Sequence, residues 1–157
     1  MKLILTGIAA GVLGTLVMDS LNQLFARNGM LLKIDVARIG RLSAGWARGR
    51  FRYQNPGEVP EAPNEKPIGY LAHYGIGIVL ALVYVVGWDR AVGGPVSPVW
   101  AVAYGTATTV IAWFFLLPSI GLGVCGWNSP DGYQAPLSSL VNHVFFGLGM
   151  ALVIALA

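Results

Sequence analysis

The chain has 157 residues, 55% hydrophobic and 11% charged, with ten Lys and Arg against seven Asp and Glu for a formal net charge of +3. A soluble domain of this length carries about 25% charged residues, so the composition excludes an ordinary aqueous fold and points to lipid as the solvent. The single cysteine, Cys125, excludes an internal disulfide framework. With no recognisable nucleic-acid-binding module, the positive excess reads as a membrane-orientation signal.

Four apolar blocks follow in chain order, at residues 3–25, 68–88, 99–117 and 137–156. Each is near the ~20 residues that a helix rising ~1.5 Å per residue needs to cross a hydrocarbon core. Because the blocks are continuous rather than alternating, and each must satisfy its own backbone in lipid, helices are expected and strands are not. The predicted fold is an all-α integral membrane domain over 1–157, a four-helix bundle of two pseudo-repeated hairpins. The first block competes with a cleaved signal peptide, which would leave three spans. Only Lys2 precedes a long run containing Asp19, which favours a retained helix.

Between the first two spans, residues 26–67 hold eight of the ten basic residues: Arg27, Lys33, Arg38, Arg41, Arg48, Arg50, Arg52 and Lys66. Lys and Arg flanking spans stay on the cytoplasmic side, so this loop is expected inside and both termini in the periplasm. Leu32, Val36, Ile39, Leu42 and Trp46 fall on one side of a helical wheel, with Lys33, Arg38, Arg41 and Arg48 on the other. That pattern predicts a basic amphipathic helix on anionic inner-leaflet lipids, the alternative being a solvated loop that only sets topology. Ile34 and Asp35 break the pattern, and Gly40, Gly45 and Gly49 weaken any helix by about 1 kcal/mol each relative to Ala. Pro56, Pro60, Pro63 and Pro67 read as an extended linker into the second span.

The second and fourth spans align on their histidines. His73, Gly77, Ala81, Leu82 and Val83 match His143, Gly147, Ala151, Leu152 and Val153. The first and third spans share Gly14-Thr15 and Gly105-Thr106. A duplicated hairpin follows, parallel in the membrane, with chance likeness between Ala/Leu/Val/Gly-rich segments as the competing explanation. Small and polar residues also line one face of each span, as expected where helices meet in lipid. The run from Pro118 to Pro136 has no Lys or Arg and many helix breakers. It reads as a turn-rich loop, or as a segment folded over the bundle mouth that brings Trp127, Ser129, Asp131 and Tyr133 to the histidines.

Asp19, His73 and His143 are not explained by packing, because an ionisable group near mid-span costs roughly 2.5 to 3.5 kcal/mol on insertion scales. Counted from the span ends, all three lie some ~8 to 9 Å below the inner surface. Asn22, Tyr74 and Asn142 stand near them. Three chemistries fit. The histidines could ligate a metal or a haem iron. Asp19 and the histidines could handle a proton or cation. A histidine could act as general base on a lipid head group or small substrate. Against these stands a mutually satisfied Asp-His hydrogen bond that simply locks the bundle. No His-Glu-x-x-His, cysteine pair, phosphate loop or Gly-x-Ser-x-Gly elbow is present.

With Met18-Asp19 in the first span, His73-Tyr74 opening the second, Pro118, Gly121 and Gly123 after the third, and His143 with Gly147 in the fourth, the chain resembles a bacterial inner-membrane family. That family is a domain of unknown function made of small four-span proteins, and the resemblance covers almost the whole chain. It implies a bacterial inner membrane and carries over no activity. The expected function is movement of a proton, ion or small solute by an oligomer. A membrane-embedded metal, haem or lipid-modifying enzyme and a structural accessory subunit are the alternatives.

Overall fold

The computed structural model describes all of residues 1–157. Helix α1 runs Lys2–Arg27, α2 Val36–Trp46, α3 Glu65–Ala91, α4 Pro98–Ser119 and α5 Gln134–Leu156. There are no strands. Helices α1, α3, α4 and α5 are long and apolar enough to cross a membrane, and each outlasts its predicted apolar block. At the start of α3 the reason is chemical: Pro67 sits in the first turn, where a missing N–H costs nothing, so Glu65 and Lys66 join the helix.

Helix ends follow from their residues. Beyond α1, Gly29 takes φ +68° and lets the Met30 N–H turn back to the Phe25 carbonyl at 3.1 Å, satisfying an otherwise orphaned acceptor. Ser97 caps α4 through the Trp100 N–H at 3.4 Å, and Pro98 follows it. Near its other end α4 is interrupted. Pro118 lacks an N–H and its ring crowds the carbonyl four residues back, and the preceding turn widens into a π segment at Ala112–Leu116.

The spans pack as α3 on α1, α1 on α5, and α5 on α4. Aromatic side chains close the circle between α3 and α4. The Tyr104 hydroxyl donates to the Leu80 carbonyl at 3.0 Å, and Tyr84 donates to the Ser97 carbonyl at 2.5 Å. The two rings lie 5.1 Å apart. Glycines permit the closest approaches. Gly11 meets the backbone of Gly77 and Ile78, and Gly105 meets that of Gly147. Each hairpin thus seats one glycine against the glycine four residues beyond a histidine. By its contacts Gly105 plays in the second hairpin the part that Gly11 plays in the first, three residues before the Gly14 that matches it in the Gly-Thr pair. Gly14 has another task, making room for the Phe146 ring of α5.

Phe146 is 2% exposed and wedges against Gly14 and Gly77, joining the second hairpin to the first. Phe146→Ala is expected to cost on the order of 3 kcal/mol, read as a lowered midpoint in detergent-phase thermal unfolding. Outward from this core the spans present Leu5, Leu16, Val79, Val83 and Leu152 to the surroundings, as helices solvated by lipid do.

A second apolar cluster lies under the end of the bundle where α1 stops and α3 begins. Leu42 of α2, Tyr53 and Val59 of the first loop, and Leu117, Ile120 and Leu122 beyond the π segment form it. The Tyr53 N–H donates to the Ser119 carbonyl at 3.0 Å, fastening one loop to the other. The amphipathic helix is therefore real but docked. Gly40 abuts the Glu65 carbonyl and Gly69 the Val36 carbonyl, so α2 lies directly on the first turns of α3. Asp35, which broke the predicted pattern, is its N-cap, accepting from the Arg38 N–H at 3.0 Å. Leu32 precedes the helix instead of lying on its face.

Candidate functional site

Asp19 lies eight residues before the end of α1 and His73 eight after the start of α3, while His143 lies nine into α5. At ~1.5 Å per residue these groups stand roughly 12 to 14 Å from the helix ends. The close seating of Gly11 against Gly77 brings α1 and α3 within side-chain reach, and His73 Nε2 meets Asp19 Oδ1 at 2.9 Å. Their side chains keep 14% and 22% of their surface, so the pair is enclosed but not sealed. The carboxylate accepts and Nε2–H donates, leaving His73 Nδ1 without a protein partner. Tyr74 stands edge-on to His73, ring centres 6.1 Å apart.

His143 is held separately. Its Nδ1 lies 2.8 Å from Thr108 Oγ1, and the Thr108 hydroxyl also lies 2.6 Å from the Gly105 carbonyl. A carbonyl only accepts and a hydroxyl has one hydrogen, so Thr108 donates to Gly105 and accepts from His143 Nδ1–H. The neutral ring then carries its proton on Nδ1 and leaves Nε2 as a free acceptor. Nearby, Thr109 and Ser139 meet at 3.3 Å and the Trp113 indole N–H reaches the Pro136 carbonyl at 3.2 Å. Together these form a polar seam between α5 and the interrupted half of α4.

Asn22 and Asn142 join each other rather than the ionisable groups. Asn22 Nδ2 donates to Asn142 Oδ1 at 3.0 Å and to the Leu32 carbonyl at 2.9 Å. Its Oδ1 accepts from the Ile34 N–H at 3.0 Å, and Ser138 Oγ takes the Leu32 N–H at 2.9 Å. At 2% exposure Asn22 has both amide ends engaged, so it fixes the segment after α1 against α5.

No group of three or more His, Cys, Asp or Glu side chains is arranged to hold a metal ion; His73 and His143 have different hydrogen-bond partners. The segment after Pro118 does not cover the histidines. Gly121 lies against the Asn55 backbone, while Trp127 and Tyr133 are 90% and 78% exposed. Of the two readings, the turn-rich loop is the one the packing against the first loop favours. The site partner missed from sequence was Thr108. Threonine in an apolar helix is unremarkable alone, but Thr108-Thr109 ahead of Pro118 marks where α4 loses its regular ladder.

In the loop below, the Glu58 carboxylate accepts from the Asn55 amide at 2.8 Å and the Gln54 N–H at 3.2 Å. The Asn55 amide above all, then the Gln54 N–H, holds its acid lower than the usual 4.5. A lowered folded value means that this contribution is complete above the unfolded value and is lost as pH falls through the folded one. Pepsin cleavage of the loop, normalised to an unstructured peptide at each pH, is expected to quicken as pH drops below ~4.5, and Glu58→Gln is expected to flatten that dependence.

The fold and polar interior define a multi-pass four-helix membrane bundle with a paired acid and imidazole inside it. The chain belongs to the family described as Protein of unknown function (DUF2938), whose model matches residues 8–157. No curated protein and no solved structure is found to match it.

Proposed function

We propose that this protein resides in a bacterial inner membrane and moves a proton, ion or small solute, with a proton as the cargo best suited to its chemistry. The observation carrying the reading is the Asp19–His73 pair at 2.9 Å, incompletely enclosed inside the first hairpin. Imidazole titrates near neutrality, and acid/His chains serve as relays in transport proteins. His143 Nε2 and His73 Nδ1, the ring atoms free of protein partners, are the points at which a proton would enter or leave the two sites. Concentration of Lys and Arg in residues 26–67 supports a cytoplasmic loop and periplasmic termini. Four spans enclose little room, which favours a homo-oligomer.

The test is proton flux in liposomes carrying a trapped pH dye, driven by an imposed potential. Wild type is expected to exceed protein-free vesicles at least tenfold, and Asp19→Asn and His73→Ala to fall to background. Flux no greater than that of empty vesicles overturns the reading. The closed hydrogen bonds of Asn22 with Asn142 and of His143 with Thr108 favour a second reading, a structural accessory subunit, which predicts that His143→Ala folds and assembles unchanged.

A further inference from the structure

We propose that the cleft at the end of α2 is a binding site for a phosphate group, distinct from the intramembrane pair and independent of the transport reading. It encloses about 180 Å³ beside the entry to α3, small against the roughly 300 to 1,000 Å³ of sites for drug-sized ligands. That size suits a head group.

Its lining is donor-rich. Arg41 is already engaged, with Nε and Nη2 on the two Glu65 oxygens at 2.6 and 2.9 Å and Glu61 at 3.7 Å. Arg48 and Arg50 line the same cleft, and neither is among the chain's ion pairs. The helix end puts them there. Gly49 takes φ +78° and the Arg50 N–H turns back to the Gly45 carbonyl at 2.9 Å, folding the chain over the end of α2. Arg50 is then held with its guanidinium 5.2 Å from the centre of the Tyr53 ring.

A second, independent observation points to a ligand. Tyr53 is only 4% exposed, yet its hydroxyl makes no hydrogen bond within the protein. That hydroxyl lies 2.6 Å from where a Cβ on Gly45 would stand, so only glycine leaves it room at the cleft wall. The hydroxyl is the part of this otherwise buried side chain left at the cleft wall, free to donate to a ligand there. Two guanidinium groups outside the chain's ion pairs and this hydroxyl supply what a phosphate accepts: forked, charged N–H donors and one O–H. At the foot of a membrane-crossing helix the phosphate could come from a lipid head group or from solution, and the chemistry is the same.

The experiment titrates the full chain in detergent with dioctanoyl phosphatidylglycerol, with dioctanoylglycerol, which lacks the phosphate, and with inorganic phosphate. Native mass spectrometry reads the lipids and calorimetry the free anion. Wild type is expected to bind the phospholipid at least tenfold tighter than the diacylglycerol. Arg48→Gln/Arg50→Gln should lose about tenfold or more, and Arg48→Lys/Arg50→Lys several-fold because lysine keeps the charge but not the fork. Tyr53→Phe, which removes one oxygen and preserves the packing, should lose about tenfold and carries the test if the arginine variants fold poorly. Phospholipid binding without inorganic phosphate binding assigns the site to head groups, and comparable binding of both assigns it to free phosphate. Equal affinities for phospholipid and diacylglycerol with no phosphate binding, or full affinity in Tyr53→Phe and the lysine variant, overturn the proposal.

Discussion

Asp19→Ala and His73→Ala are each expected to lower stability by about 1.5 to 3 kcal/mol, with the double variant little worse than the poorer single one. Breaking an enclosed pair leaves the surviving polar group without its partner in a low-dielectric interior, and that penalty exceeds what the intact pair contributes. Removing both groups lifts the penalty. Residual surface of 14% and 22% on the two side chains keeps the effect below that of a sealed pair. A double-mutant cycle in reversible detergent unfolding measures it, and a coupling of about 1.5 kcal/mol, nearly the smaller single loss, is expected, at the upper end of the range known for polar contacts between membrane helices. Additive losses would mean that the 2.9 Å contact contributes nothing to stability. His73→Ala also serves the flux assay, so for that variant a folding defect and a transport defect are separated.

Gly40→Ala is the second change expected to act strongly. A Cβ at Gly40 lands on the Glu65 carbonyl oxygen, which belongs to helix backbone and cannot yield as a flexible side chain would. The response open to the structure is for α2 to lift off α3. Overpacking typically costs 1 to 3 kcal/mol, and a clash with backbone lies at or above the top of that range. The lift also separates Arg41 from Glu65, whose forked contact at 2.6 and 2.9 Å spans the same interface. Limited trypsin digestion reports this directly. Cleavage after Arg41, Arg48 and Arg50 is expected to accelerate about tenfold or more, for a loss of at least 1.4 kcal/mol in the closed state. Gly57→Ala, at a glycine with open space around it, is expected to leave the digestion rate unchanged.

Legibility in the sequence varied with the kind of physics involved. The four spans were readable because crossing a bilayer imposes a length and composition that a single segment displays alone. Their ends were less so, since charged residues such as Glu65, Lys66 and Arg90 continue a helix past its apolar stretch. Asp19 and His73 were found because charge inside a span is anomalous, and equal depth on consecutive helices made a pair plausible. That His143 takes a different hydrogen-bond partner was not readable. Depth alone says nothing about which helices neighbour one another, and His143 met Thr108, a residue with no anomaly to betray it. Gly40 was read as a weak point of α2 because propensity treats a missing side chain as lost stability. The missing side chain is what allows α2 and α3 to touch.

The distribution of the polar contacts bears on how the protein is made. Asp19 with His73, and His143 with Thr108, Ser139 with Thr109 and Trp113 with Pro136, all lie inside one hairpin or the other. Asn22 with Asn142, Ser138 with Leu32 and Tyr104 with Leu80 cross between them. During synthesis, the first hairpin can therefore neutralise its most expensive group with a residue of its own second span before the rest of the chain has emerged. The second hairpin inserts on the same terms. Biogenesis then divides into two self-sufficient insertions followed by a lateral joining, in which the asparagine bridge and the Phe146 wedge act as the latch between finished halves.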